Sequence, residues 1–479
     1  MQVFSFDSYP DRGRKSLEKF LGDCRVIARK RGRFQVASIS LGVRHIDPLA
    51  VLESIFEPGE WHFYMEKDSE GWALAGADEV VSCRREGSDR FLEAKAFIED
   101  VLDNTVAIGD LDVPFGGPHF FCGFTFVDRP GGEAPFPGGA LFLPRWQVAR
   151  SPEGCCAVAN VMITPDSPVD RIAENVWRAH GKFSAFDYPR PESQSVSGSH
   201  AERSATVLPA EVHCGKGSFR VSVRRALTDI AAGKYRKIVI ARALDLRLDR
   251  ELNPLHALND LRMRYPSCYG YSLANGRGQS FIGASPERLL RVKDGVLYTE
   301  ALAGSAERGK SAAEDAFLGE ALLKSSKDYR EHGIVLESIV RRLRTLGLEP
   351  GHPPEPRLLR LTNMQHLHTP VTAPLHDSLQ LPDLLALLHP TPAVGGAPRE
   401  AVVDVIPELE PFERGLYGGP IGWINSRGEG EFTVAIRSAL IDGETARVYA
   451  GAGIVEGSDP DREWNETELK FRTLLEALT

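Results

Sequence analysis

The 479-residue sequence has no C-x-x-C pair, and its cysteine count is odd. Cys24, Cys83, Cys122, Cys155, Cys156, Cys214 and Cys268 are scattered along it. That excludes a disulfide framework and predicts buried, reduced thiols of a cytoplasmic protein. No stretch reaches ~18 apolar residues. The first fifteen residues carry Asp7, Asp11 and Arg12 and no apolar core. Neither a signal peptide nor a membrane span is expected. Positive charge is also short: 57 Lys and Arg face 66 Asp and Glu, a net charge of −9. Nucleic acid and anionic membranes need a basic field, so neither is expected as a partner. There is no G-x-x-x-x-G-K-[ST], and no G-x-G-x-x-G after a strand, so no nucleotide cradle is predicted. Hydrophobic residues make up 42 % and charged residues 26 %, which excludes a disordered chain. The length predicts two or three domains, or one large α/β body, with core enough to need no staples.

Two halves flank the polar stretch PRPESQSVSGSHAERSATVLPA, Pro189 to Ala210. It is Ser- and Pro-rich and reads as an exposed connection. The boundaries are 1–205 for a β-rich first half and 215–479 for the region that carries the chemistry. In the first half β-like runs cover 34–41, 61–66, 71–75, 120–127, 140–142 and 155–163, interrupted by one helix over 89–102. In the second, Val223, Ala226, Leu227 and Ile230 keep helical spacing up to Gly233. KIVIARALDLRL, 237–248, reads as a strand, and Asn253-Pro254 opens a short helix. Strands follow over 268–273, 279–283 and 296–299, then helices over 312–324 and 327–345. Beyond a Pro-rich loop, 350–356, helical and loop segments are expected. Asp442-Gly443 joins a hairpin between 432–441 and 447–450, and Asp459-Pro460 caps a final helix. Residues 63–81 and 271–290 share a strand–turn–strand plan, which raises an internally duplicated β/α sandwich. The fold class expected is α+β, antiparallel sheets packed with helices.

On the final helix Glu463, Glu466 and Lys470 fall at i, i+3 and i+7, one face. They form either a solvated acidic face with a Glu466–Lys470 pair, or a carboxylate pair for a hard divalent cation. Asp328 and Glu331 repeat the i, i+3 spacing on another helix start, where acids also complement the helix dipole. Lys237 opens an apolar strand. It either snorkels to the strand end or points into a cleft as a base. Glu287, after Ser285-Pro286, is either an exposed turn acid or a buried carboxyl kept as a general acid. Glycines gather in HPTPAVGGAP, RGLYGGPIGW and YAGAGIVEGSDP, where backbone N–H groups can approach an anion. With Arg437 nearby they suit a small carboxylate better than a nucleotide.

KIVIAR, GASPERLL, TEALAGSAERG, SSKDYREH, MQHL, HPTPAVGGAP, RGLYGGPIGW, FTVAIRSAL and YAGAGIVEGSDPDREWNETELK occur in this order. Together they resemble the chorismate-utilising enzymes: isochorismate synthase, salicylate synthase, anthranilate synthase component I and aminodeoxychorismate synthase. The likeness is dense over 215–477 and looser before, through GPHFFCGFTFVD and LFLPRW. It implies chorismate as substrate and Mg²⁺ as cofactor, held by Glu331 and Glu466 with Asp328 and Glu463 ordering its waters. It implies Lys237 as base, Glu287 as acid, and Tyr417, Arg437, Gly453 and Lys470 on the substrate's carboxylates, with His366 near the ring.

Within the family the resemblance implies an isochorismate synthase. Ammonia users carry Gln where Lys237 stands and draw on a glutaminase, so no glutaminase subunit is expected. Ala303 stands where the aminodeoxychorismate enzymes place a nucleophilic lysine. Ala393 stands where salicylate synthases have Thr, which makes salicylate synthase the alternative. Met364 departs from a frequent Val as a conservative apolar change. The full first half resembles menaquinone-pathway enzymes more than siderophore ones, and a monomer or homodimer is expected.

Overall fold

The computed structural model describes residues 1–4, 13–55, 57, 59–184, 207–213 and 215–478. The connection expected over 189–210 lies outside them up to residue 206, as do the 205 boundary and Cys214. Its last residues, 207–210, begin a strand, Val207–His213, that pairs with Lys237–Leu248. The six described cysteines are free and buried.

The architecture is α+β, with helices on antiparallel sheets; among the described residues only the pairings of Thr105–Gly109 with Gln2–Val3 and with Gln35–Val43 are parallel. One sheet runs through strands 105–109, 35–43, 154–163, 139–151, 72–85, 61–67, 269–275, 279–285, 438–442, 445–455, 237–248 and 207–213. The other runs through 119–124, 420–425, 430–434, 288–293, 296–307, 364–374 and 357–360. They join at the long strand Gly139–Ser151, whose start pairs with 119–124 and whose end pairs with 154–163. Both sheets cross between the halves of the chain, at Tyr269–Asn275 on Trp61–Lys67 and at Pro420–Asn425 on His119–Phe124. Phe63, Met65, Tyr271 and Leu273 from the first sheet meet Phe121, Ile421 and Trp423 from the second in one buried cluster. Phe63 stacks on Phe121 with ring centroids 4.4 Å apart.

The repeat between 63–81 and 271–290 is one piece of a larger one. Gln35–Val43 pairs antiparallel with Gly154–Ile163 beneath helices Arg14–Arg31 and Val169–Ser184. Lys237–Leu248 pairs antiparallel with Thr445–Val455 beneath Lys216–Ala231 and Pro460–Leu478. Two of those first-half helices escape a reading that finds only 89–102. Arg14–Arg31 buries Phe20, Leu21, Cys24 and Ala28, a narrow stripe among nine Lys, Arg, Asp and Glu residues that lowers the segment's mean hydropathy. Helices Pro48–Ile55 and Val169–Ser184 and strand Thr105–Gly109 are likewise additional.

Two further expectations change. MQHL lies on a strand, Met364–Pro374, rather than in helix or loop. Its prolines disguise it: Pro370 and Pro374 fall beyond the stretch paired with Arg357–Arg360, where no ladder N–H is needed. The strand expected over 432–441 is two, Gly430–Val434 and Ser438–Asp442. They are broken at Arg437, whose φ of 51° leaves the β region. The capping signals hold: Asn253 accepts the Leu255 and His256 N–H groups, and Asp459 accepts those of Asp461 and Arg462.

Candidate active site

Lys237 begins a strand whose two edges are satisfied in different ways. One edge pairs with Thr445–Val455 along its whole length. On the other, side chains stand in where no strand reaches. Val239 N–H donates to Gly395 O, Val239 O accepts from Arg414 Nη2, and Ala241 N–H donates to Glu410 Oε1. Glu410 and Arg414 are themselves a buried pair. This arrangement fixes the start of the strand against the HPTPAVGG loop.

Lys237 is fully buried, and its Nζ lies 3.0 Å from Glu331 Oε1 without an aligned hydrogen bond. Burial pushes the Glu331 carboxyl up, but Lys237 and Lys327 outweigh it and the net shift is down. Gly453 makes room for the pair: a Cβ there would sit 2.1 Å from Glu331 Oε1 and 3.0 Å from Lys237 Cε.

In front of the pair opens a cleft of about 620 Å³, counting its mouth. Glu287, Glu331, His366, Ala393, Tyr417, Arg437, Gly453, Glu466 and Lys470 all line it, as does Ala303. Glu287 is 4 % exposed, and its carbonyl is pinned by the Val434 N–H and the Thr433 hydroxyl. Burial, then the charge of Glu300, pushes its carboxyl up to about 8, against Lys237, Arg437 and Lys470. It is therefore protonated at neutral pH. His366 Nδ1 lies 2.9 Å from Ser305 Oγ, and its buried Nε2 has no partner. Burial holds that imidazole neutral, with a pKa down at about 3. Tyr417 stacks on Tyr449 at 5.1 Å, and burial raises its phenol to about 12.

Arg437 is buried, and among the described residues no carboxylate lies within ion-pair distance of it. Its Nη2 instead donates to Met364 Sδ at 3.3 Å. Met364 is thus more than the apolar filler expected of it. A buried guanidinium on the wall of a cleft, with no carboxylate at ion-pair distance among the described residues, is suited to bind an anion.

The two acidic helices do meet. Lys327, which the sequence reading passed over, stands between them. Its Nζ lies 3.0 Å from Glu463 Oε1, 3.6 Å from Glu331 Oε2 and 3.8 Å from Asp328 Oδ1. Burial works against its ammonium form, but Glu331, Glu463 and Glu466 raise it strongly. Glu466 pairs with Lys470 at 2.6 Å, and Lys470 also donates to Gly451 O at 2.7 Å. The i, i+4 pair expected of that helix face forms, but inside the cleft rather than on a solvated face. Burial and Glu466 push Glu463 up to about 7, while Lys470 and Lys327 hold Glu466 down despite its burial. Asp328 is raised chiefly by burial and hydrogen-bonds Ser325.

Among the described residues no three His, Cys, Asp or Glu side chains approach closely enough to ligate one ion. Mg²⁺ needs only one or two carboxylates plus water. An all-oxygen donor set that already gathers a cationic ammonium fits such an ion.

A family model described as "Chorismate binding enzyme" matches residues 19–479. The chain belongs to that family. It is 32 % identical over 450 residues to "Isochorismate synthase MenF" of Bacillus subtilis, covering 92 % of this chain and 93 % of that one. It is 41 % identical over 469 residues to "Salicylate biosynthesis isochorismate synthase" of Pseudomonas aeruginosa, covering 97 % and 94 %. Its structure is similar to that of MenF, the menaquinone-specific isochorismate synthase of Escherichia coli, with TM-score 0.75 and 26 % identity over 96 % of this chain and all of that one. Sequence reasoning missed the cleft residues Val239, Ser305 and Tyr449, and Lys327 among the acids behind the cleft. An apolar or small residue in a strand carries no signal of its own. A lysine beside Asp328 in SSKDYREH does, because a cation one residue from an acid pair competes for it.

Proposed function

We propose that the protein is an isochorismate synthase, an isomerase that converts chorismate to isochorismate in a Mg²⁺-dependent reaction. The observation that carries this is the pairing of opposite chemistries at one cleft: a carboxyl that stays protonated at neutral pH, Glu287, and an amine, Lys237, behind Glu331. Water attacks C2 of the ring and gives a proton to the free-amine form of Lys237, leaving an ammonium beside Glu331. The ring double bonds shift, and Glu287 donates its proton to the C4 hydroxyl, which leaves as water. One water enters and one leaves, so the product is an isomer of the substrate. Arg437, Lys470 and Tyr417 hold the substrate's carboxylates, and the neutral His366 offers Nε2 at the ring. Glu331 and Glu466 are the residues that would hold Mg²⁺, with Asp328 and Glu463 ordering its water; bound there, the ion neutralises the substrate's C1 carboxylate.

Lys237 and Ala303 support water over ammonia or a lysine adduct as nucleophile, so no glutaminase partner is needed. Six free buried thiols support a cytoplasmic site of action. The names of the B. subtilis and E. coli relatives support the menaquinone pathway. The P. aeruginosa relative, matched over as large a share, supports salicylate biosynthesis as the second reading, still through isochorismate. The test is chromatography after incubation with chorismate, Mg²⁺ and ammonium. Isochorismate as main product is expected. Salicylate with pyruvate would make the protein a salicylate synthase, and an aminated product would overturn the role of Lys237.

A further inference from the structure

A second carboxylate, Glu300, lies against the turn that carries Glu287, and the reaction as written does not use it. Glu300 stands on the strand Val296–Glu307 with its side chain 12 % exposed. Its Oε1 accepts the backbone N–H of Arg288, the residue after Glu287, at 2.8 Å. Its Oε2 lies 2.9 Å from His368 Nε2, on the adjoining strand. His368 Nδ1 faces Arg357 Nε at 3.4 Å. Burial pushes the Glu300 carboxyl up, but His368 and Arg288 outweigh it and keep it ionised.

The groups facing Glu287 explain why such a charge is needed there. Lys237 from its strand, Arg437 from the break after Gly430–Val434 and Lys470 from the last helix all favour the carboxylate form of Glu287. Three cations suited to an anionic substrate would strip the proton from the acid beside them. Burial of the Glu287 carboxyl opposes them first, and Glu300 is the negative group that adds to it. The groups around Glu300 itself are Arg288, paired also with Glu431, the His368 imidazole on its own sheet, and Lys67 from the strand Trp61–Lys67. Tyr269 from the adjacent strand faces it with a phenol held neutral.

We propose that Glu300, which accepts the Arg288 N–H and lies against His368, is a positioning residue for proton donation: it fixes the turn at Arg288 and sets a carboxylate beside the acid Glu287. The inference rests on the reading of Glu287 as the acid. Glu300→Gln keeps an oxygen to accept the Arg288 N–H and removes only the charge. The alkaline limb of kcat/KM is expected to move to lower pH by about one unit, with turnover at pH 8 falling roughly fivefold. A role confined to holding the turn would leave that limb in place. The infrared band of the protonated Glu287 carboxyl, identified by its absence in Glu287→Gln, gives a readout without turnover and is expected to titrate lower by the same interval. If Glu300→Gln does not fold, His368→Gln removes the partner that keeps Glu300 ionised and is expected to shift the limb in the same direction. A limb and an infrared titration that coincide with those of the unmodified protein overturn the proposal. Glu287→Gln separates the two failures. If it retains turnover and the limb, the acid assignment itself is wrong; if it is inactive while the charge-removing variant leaves the limb in place, only the role of Glu300 falls.

Discussion

Each half of the chain folds a strand against an antiparallel partner and covers the pair with two helices, yet the two constructions are filled differently. In the first half the strand Gln35–Val43 contributes Ala37 and Ile39 to a cluster with Phe20, Leu21 and Val176, and its other face carries Val36, Ser38 and Ser40, all fully buried. In the second half the equivalent strand carries Val239 to the wall of a cleft and the buried Lys237 behind Glu331. The covering helices differ in the same way. Val169–Ser184 buries Val169, Ala173 and Val176, whereas Pro460–Leu478 brings Glu463, Glu466 and Lys470 inward among apolar residues. The connections differ as well. From the strand Trp72–Arg85 the first half reaches His119–Phe124 through one helix and one short strand. From Gln279–Ser285 the second half reaches Pro420–Asn425 only after residues that include Glu287, Asp328, Glu331, His366 and Ala393. The first half buries only scattered charges such as Glu66 and Arg90, whereas the second gathers them at one place. Glu287, Lys327, Asp328 and Glu331 arrive on the segment that the second half adds, and Lys237, Arg437, Glu463, Glu466 and Lys470 on the framework it shares with the first.

Four substitutions sharpen or break this contrast, the largest effect first. Lys237→Ala is expected to lower isochorismate formation by ~10²–10⁴-fold, as loss of a general base does. Circular dichroism should show the same fold, and turnover within a few-fold of the unmodified protein would take Lys237 out of the mechanism. Phe20→Ala, in the first half, is expected to cost about 3–5 kcal/mol of stability through the cavity it leaves. Activity per folded molecule should be unchanged; a matching loss of kcat would show that the first half is more than framework.

Lys327→Met is expected to tighten Mg²⁺ binding roughly tenfold in titration calorimetry without substrate. Unit charges ~4 Å apart at an effective dielectric of ~20 repel by about 4 kcal/mol, so even a partial release reaches that figure. Weaker binding would mean that Lys327 organises the acids rather than competing for them. The smallest effect belongs to Ala393→Thr, which is expected to add a few per cent of salicylate, read by fluorescence, while isochorismate remains the main product. One added hydroxyl at a reacting edge redistributes outcomes modestly. Unchanged product ratios would place the determinant elsewhere in the cleft.

Legibility in the sequence followed the same division. The strand 237–248 and the helices 312–324 and 460–478 were readable because apolar period and caps agree locally. The helix Arg14–Arg31 was hidden by its charged faces, and the strand Met364–Pro374 by prolines that tertiary pairing tolerates. Half of the cleft-lining residues were named from motif order, but their electrostatics were not. That Glu300 reaches the turn after Glu287, or that Met364 sulfur accepts from Arg437, depends on strand register, which no local pattern encodes.

Gly453 shows what that register means for inheritance. Any residue that replaces it brings a Cβ, and the Cβ falls where the Glu331 carboxylate oxygen now stands. The strand Thr445–Val455 can absorb an alanine, because the colliding atom is the end of a side chain and the backbone has room to stay. The ion pair with Lys237 cannot stay. Random change at this codon is therefore expected to yield folded, well-expressed and inert protein, a lesion that selection for stability would pass and only selection for turnover would remove.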